Sequence, residues 1–204
     1  MKKFVMAGLL AAGLTAAAIA QGAPPVHIRG VVSSLDGNVL TVGAPIGTAA
    51  TKVTLAPNFK VAYVIRATLA SIVAGSYVGT AAIPQTDGSL RAIEVHIFPP
   101  GLTPGPGTRP WDLTPTSTMT NGTVDNIGAT KVDNVAAGLI KITYEGGEKT
   151  VTVPASASIV GYVPADAEAL VKGAHVNFFA VKAADGSLSA ASVNVGKDGL
   201  VPPM

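Results

Sequence analysis

From residue 26 onward the chain is built of short stretches in which apolar and polar side chains alternate, the period-two pattern of half-buried strands. Residues 26–33, 39–42, 52–55 and 60–65 read this way. Asp36-Gly37-Asn38 between the first two is turn chemistry, since Gly and Asn accept a positive φ at little cost. The period changes at 68–75: Leu69, Ile72 and Val73 sit at i, i+3 and i+4, Thr68 can cap the start and Gly75 the end, which predicts one short helix. Two strands, 77–84 and 90–98, then follow on either side of an Asp-Gly turn.

The same text recurs. Shifting the chain by 98 residues lays 53–98 over 151–196 without a gap, with 13 identities in 46 positions. Chance would give on the order of a tenth in a chain rich in Ala, Val and Gly. The run Asp-Gly-Ser-Leu-x-Ala-x-x-Val stands at Asp87 and again at Asp185. Upstream, Arg29-Gly30-Val31-Val32 matches Asn121-Gly122-Thr123-Val124 at a shift of 92, so the second copy carries six extra residues in its first hairpin. Its helix is expected at 166–173, with Asp166 as cap, Leu170 and Val171 as apolar face and Gly173 as stop, before strands 175–182 and 188–195.

The predicted class is all-β: two tandem small OB-like β-barrels, each with one short helix before the last strand pair. The expected layout is a signal peptide at 1–20, a first barrel at 21–98, a linker at 99–118, a second barrel at 119–198 and a tail at 199–204. The linker holds six prolines and three glycines within 99–115; prolines remove donors and glycines cost entropy, so no regular element is expected there.

The N-terminus changes the picture of where the protein works. Lys2 and Lys3 precede an uncharged apolar run from Phe4 to Ile19, and Ala18-Ile19-Ala20 offers small residues to a signal peptidase. This predicts export with cleavage before Gln21. The run is short and rich in Ala and Gly, unlike the ~20 strongly apolar residues of a spanning helix; no membrane span is expected after cleavage, and the address is periplasmic or secreted. No cysteine exists, which closes the lipoprotein route and excludes disulfides and thiol chemistry. Without Lys2 and Lys3 the 14 basic residues become 12, against 12 acidic ones. A neutral chain with scattered charge lacks the footprint of nucleic-acid or anionic-membrane binding.

The unit Gly30-x-Val32, Asp36 to Val42, Leu69 to Gly75 and Asp87 to Ala92 resembles a bacterial family of exported small OB-like β-barrel domains of unknown function. The second copy keeps Gly122-x-Val124, 139–142 and Asp185 to Ala190, and lacks the Asp-Gly-Asn turn. The resemblance implies an exported OB-like barrel and supplies no catalytic residues. The stretch from Arg109-Pro110-Trp111-Asp112 to Gly122 is similar to one common in related exported proteins.

Candidate chemistry is sparse. Three histidines lie outside any Gly-x-Ser-x-Gly elbow or other nucleophile setting. Asp36, Asp87 and Asp185 occupy turns that prefer Asp. Gly105-Pro106-Gly107 precedes no helix, so it is no phosphate loop. Phe178 and Phe179 are consecutive, so at least one belongs to the core. The sharpest chemical candidate is a copper-type metal site of His27, His96 and Met119, with Glu94 on the face of His96. It rests on the first and last strands of one barrel being neighbours. Trp111, the only tryptophan, either anchors the linker on a barrel or stacks at a binding groove, with Arg109 beside it. The expected function is a non-enzymatic exported binding or interaction protein of the cell envelope, acting on an envelope protein or small ligand; the alternative is a periplasmic copper-type binding protein. Neither nucleic acid nor an organic cofactor is expected.

Overall fold

The computed structural model describes residues 24–43, 49–132 and 135–203; the expected signal peptide and its cleavage point lie outside the described residues. Among the described residues twelve strands run in chain order: β1 (Val26–Asp36), β2 (Val39–Gly43), β3 (Thr51–Arg66), β4 (Tyr77–Pro84), β5 (Leu90–Ile97), β6 (Gly107–Pro110), β7 (Thr118–Val132), β8 (Val135–Tyr144), β9 (Gly147–Val153), β10 (Ser158–Ala165), β11 (His175–Lys182) and β12 (Leu188–Gly196). The all-β class holds.

The turns form as the sequence chemistry dictates. In the β4–β5 turn Asp87 accepts the Ser89 N–H at 2.9 Å, and in the β11–β12 turn Asp185 accepts the Ser187 N–H at 2.9 Å. Gly88 and Gly186 hold φ of 82° and 86° there, values that any Cβ would strain. Gly30 and Gly122 answer a different need. A Cβ on Gly30 would lie 2.3 Å from the Gly43 carbonyl oxygen, and one on Gly122 2.4 Å from that of Thr143. Beside both, the first hairpins shift register, between Val32 and Ser34 and between Val124 and Asn126, as a bulge does.

Two closed five-stranded rings result, and neither is drawn from one half of the chain. In the first, β1, β2 and β3 close through β12 and β11: β12 pairs parallel to β3, and β11 antiparallel to β1. In the second, β7, β8 and β9 close through β5 and β4, with Leu90 and Arg91 opposite Val151 and Thr152. The two cores repeat this mixture. Leu40 and Leu55 pack with Phe178 and Val193 in one; Val78 and Val95 pack with Ile140 and Val151 in the other. The expected assignment of 21–98 to one barrel and 119–198 to the other is therefore corrected: each barrel takes its first three strands from one span and its last two from the other. The expected strands 52–55 and 60–65 are one 16-residue strand that pairs with β12 from Thr54 to Val64. Its far end pairs with β10 on the other edge, from Val61 to Arg66, and Leu69 just beyond it packs against the second core.

The registers repeat across the two halves. Val64 faces Tyr162 across the β3–β10 ladder, and the adjacent rungs, Gly161–Ile65 and Val163–Tyr63, exchange the same positions. The rung Ser158–Glu94 recurs as Ser192–Lys60.

Four further expectations are corrected. The short helices are single three-residue 3-10 turns, Leu69–Ser71 and Ala167–Ala169. Val73 and Val171 are exposed rather than packed, while Ile72 and Leu170 are buried; one turn is too short to present a wider apolar face. Asp166 makes no side-chain capping bond. Finally, the linker contains strand β6, which pairs with β7 from Gly107–Asn121 to Pro110–Thr118, because one edge of β7 is left open to it.

Candidate functional site

A cleft of about 460 Å³ is lined by strands of both barrels and by the linker. This is within the ordinary range for small-molecule sites. Strand alternation decides what faces it. On β11, Val176, Phe178 and Ala180 point into the first core, so Phe179 points outward and is 41% exposed. The ambiguity between the two phenylalanines resolves with Phe178 in the core. On β5, Glu94 and His96 are buried outside the barrel core, beneath β10.

Two aromatic groups contribute to the wall of the cleft. In one, Phe98 and Tyr162 stack with centroids 5.4 Å apart and planes 5° from parallel, and His96 lies 5.9 Å from Tyr162. In the other, Trp111 meets the edge of Phe179 at 6.0 Å, and His27 stacks on Phe179 at 4.3 Å. Trp111 packs the linker against His27 of β1 and Phe179 of β11, and it also lines the cleft. The linker is fastened further by Tyr77, whose hydroxyl donates to the Pro104 carbonyl at 3.0 Å, and by Asn121, whose amide donates to the same oxygen at 2.9 Å. Arg109 donates to the Gly105 carbonyl at 2.9 Å and lies 5.9 Å from the Trp111 ring centre.

Behind the cleft wall runs a buried polar chain. The Tyr162 hydroxyl and Nδ1 of His96 are 2.6 Å apart. On the other side of the ring, Nε2 of His96 is 3.3 Å from Oε1 of Glu94, an ion-pair distance without hydrogen-bond alignment. His96 and Glu94 are 1% and 2% exposed. Burial, and then the Glu94 charge, push the Tyr162 phenol far above its ordinary range, so it stays a neutral hydroxyl.

The three expected metal ligands are only partly gathered. His96 and Met119 line the cleft; His27 does not. The premise that the first and last strands of one copy are neighbours fails: β1 pairs with β2 and β11, and β5 with β4, β9 and β10. His27 is held by Asn177 at 3.2 Å and lies 3.4 Å from Asp112, which is itself bound by Arg29 at 2.8 and 2.9 Å. Burial, and then the Arg29 charge, lower the His27 pKa, and the Arg29 hydrogen bonds lower that of Asp112. Among the described residues no group of three or more His, Cys, Asp or Glu is placed to hold a metal ion.

Tyr162 and Phe98 are the site residues that sequence reasoning missed. Tyr162 reaches His96 only through the parallel β10–β5 pairing, for which nothing local in the sequence is a signal. Phe98 had one available clue, its place as the last residue of the expected strand 90–98, directly before Pro99-Pro100. No family model matches the chain, and neither curated proteins nor solved structures yielded a match.

Proposed function

We propose that the protein is an exported, non-enzymatic binding protein of the cell envelope, and that the cleft between its two barrels is where it takes a small, largely apolar ligand. The observation that carries this reading is the convergence of Phe98, Tyr162, Trp111 and Phe179 on one 460 Å³ space, walled by elements from both halves of the chain and by the linker. Aromatic faces supply large apolar contact with few rotatable bonds, which keeps the entropic cost of binding low. Export rests on the charged start, apolar run and Ala-x-Ala end of the first twenty residues.

The architecture fits the same proposal. Each half is a copy of one OB-like unit, and the two copies have exchanged their last strand pairs. The support is the match of 13 in 46 positions together with rungs that repeat at the same shift. Since His96 and Met119 both line the cleft, a soft cation such as copper is the competing occupant.

The test uses phenylnaphthylamine, a neutral dye that brightens in apolar surroundings. One saturable site is expected in the wild-type protein, and its loss in Ala62→Phe, which fills the cleft from β3, with the unfolding temperature of that variant little changed. Absence of saturable binding, or equal binding by Ala62→Phe, refutes the reading. Copper(I) binding lost in His96→Leu, with no dye binding, favours the competitor.

A further inference from the structure

We infer that the ligand of the cleft is an apolar acid, an aromatic or aliphatic body ending in a carboxylate or comparable anion. The inference rests on the cleft being a binding site and adds the chemical class of what it binds.

Charge is one-sided here. The ionisable residues with acid–base character lining the cleft are Lys60, Arg109, His96 and Tyr162, and no aspartate or glutamate is among its lining residues. The nearby carboxylates are engaged elsewhere. Glu94 lies on the far side of the His96 ring from Tyr162, and Asp112 is bound in bidentate fashion by Arg29. Among the described residues, neither Lys60 nor Arg109 forms an ion pair, whereas Arg29 and Lys141 do. Arg109 is held instead by a neutral carbonyl and an aromatic ring. That fixes the guanidinium without neutralising it, and leaves donors of its planar fork for a partner.

A pinned, unpaired guanidinium beside an aromatic wall favours an acceptor that is anionic and planar. It disfavours a cation: the aromatic groups could stack on an ammonium, but Lys60 and Arg109 at the same cleft would repel it. An ester or alcohol of the same body would make the aromatic contacts and forgo the charged one.

The experiment is isothermal titration calorimetry on the full chain at low ionic strength with three probes sharing one body: phenylbutyrate, phenylbutanol and phenylbutylammonium. The acid is expected to bind about tenfold or more tighter than the alcohol, and the ammonium weakest, the range set by one hydrogen-bonded charge. Arg109→Gln should lower phenylbutyrate affinity by about tenfold and leave phenylbutanol unchanged, a pattern that general unfolding cannot produce. Dye binding to the cleft combined with equal affinity for all three probes, or with a preference for the alcohol or ammonium, overturns the acid inference and leaves the cleft reading standing. An equal loss of all three probes in Arg109→Gln overturns it as well. Failure of the dye and of every probe overturns both.

Discussion

Replacing His96 with leucine strands the Glu94 carboxylate. Glu94 is 2% exposed, and the His96 ring lies 3.3 Å from its carboxyl oxygen. Taking one ion out of water costs several kcal/mol even after relaxation, and removing one member of a buried pair typically costs ~3–5 kcal/mol because the other is left uncompensated. The Tyr162 hydroxyl, 2.6 Å from His96 Nδ1, also loses its partner, which adds ~1–3 kcal/mol if it stays buried and unmet. His96→Leu should therefore be destabilised by about 4 kcal/mol at the lower end of these two costs, a large part of the ~5–15 kcal/mol expected of a domain. The double variant Glu94→Met/His96→Leu should recover the part of that loss that comes from the stranded carboxylate, since an apolar pair replaces a buried polar one at little net cost, and should keep the part due to the unpaired Tyr162 hydroxyl. The assay is urea unfolding by far-ultraviolet circular dichroism with linear extrapolation, read as a double-mutant cycle. A His96→Leu cost below about 1 kcal/mol, or single-variant costs that simply add in the double variant, refutes the description of Glu94 and His96 as a coupled buried pair.

Two other predictions concern stability. Because burial and Arg29 lower the folded-state pKa of His27, the folded protein takes up its proton less readily than the unfolded chain. Stability from His27 is full above the unfolded value of about 6.5 and falls as the pH drops from there toward the folded pKa; melting temperature against pH should show this decline, and His27→Phe should flatten it. Gly30→Ala and Gly122→Ala drive a methyl group into a backbone carbonyl and should each cost roughly 2–4 kcal/mol. Gly161→Ala, whose Cβ would meet only ordinary contacts at 3.8 and 3.9 Å, should cost under about 1 kcal/mol; similar losses for all three in urea unfolding would contradict the packing described.

Local structure was legible because local chemistry determines it. The strand at 77–84 was read at the limits the structure gives, and the Asp87 and Asp185 turns form with the hydrogen bonds their side chains favour. Two rungs, Ser158–Glu94 and Ser192–Lys60, relate positions 98 residues apart, the shift at which the sequence matches itself. The sequence did not reveal which strands close which barrel. Equivalent strands carry equivalent apolar patterns, so β12 satisfies β3 about as well as β5 would on hydrophobic alternation alone. That degeneracy hid Tyr162 as the partner of His96 and encouraged the placement of His27 beside His96. Trp111, Arg109, His96 and Met119 were singled out from residue type, and the fold gathers them on one cleft; Phe179 emerges only once alternation on β11 has put Phe178 inside.

The interlaced barrels underlie both the cleft and its proposed ligand. Introducing a protease site between Gly101 and Leu102, cutting the folded protein there, and running it on a gel-filtration column tests this most directly. With each barrel built from strands on both sides of the cut, the two fragments should co-elute as one particle and part only in denaturant. Fragments that separate under native conditions, each still folded, would contradict the exchange of strands.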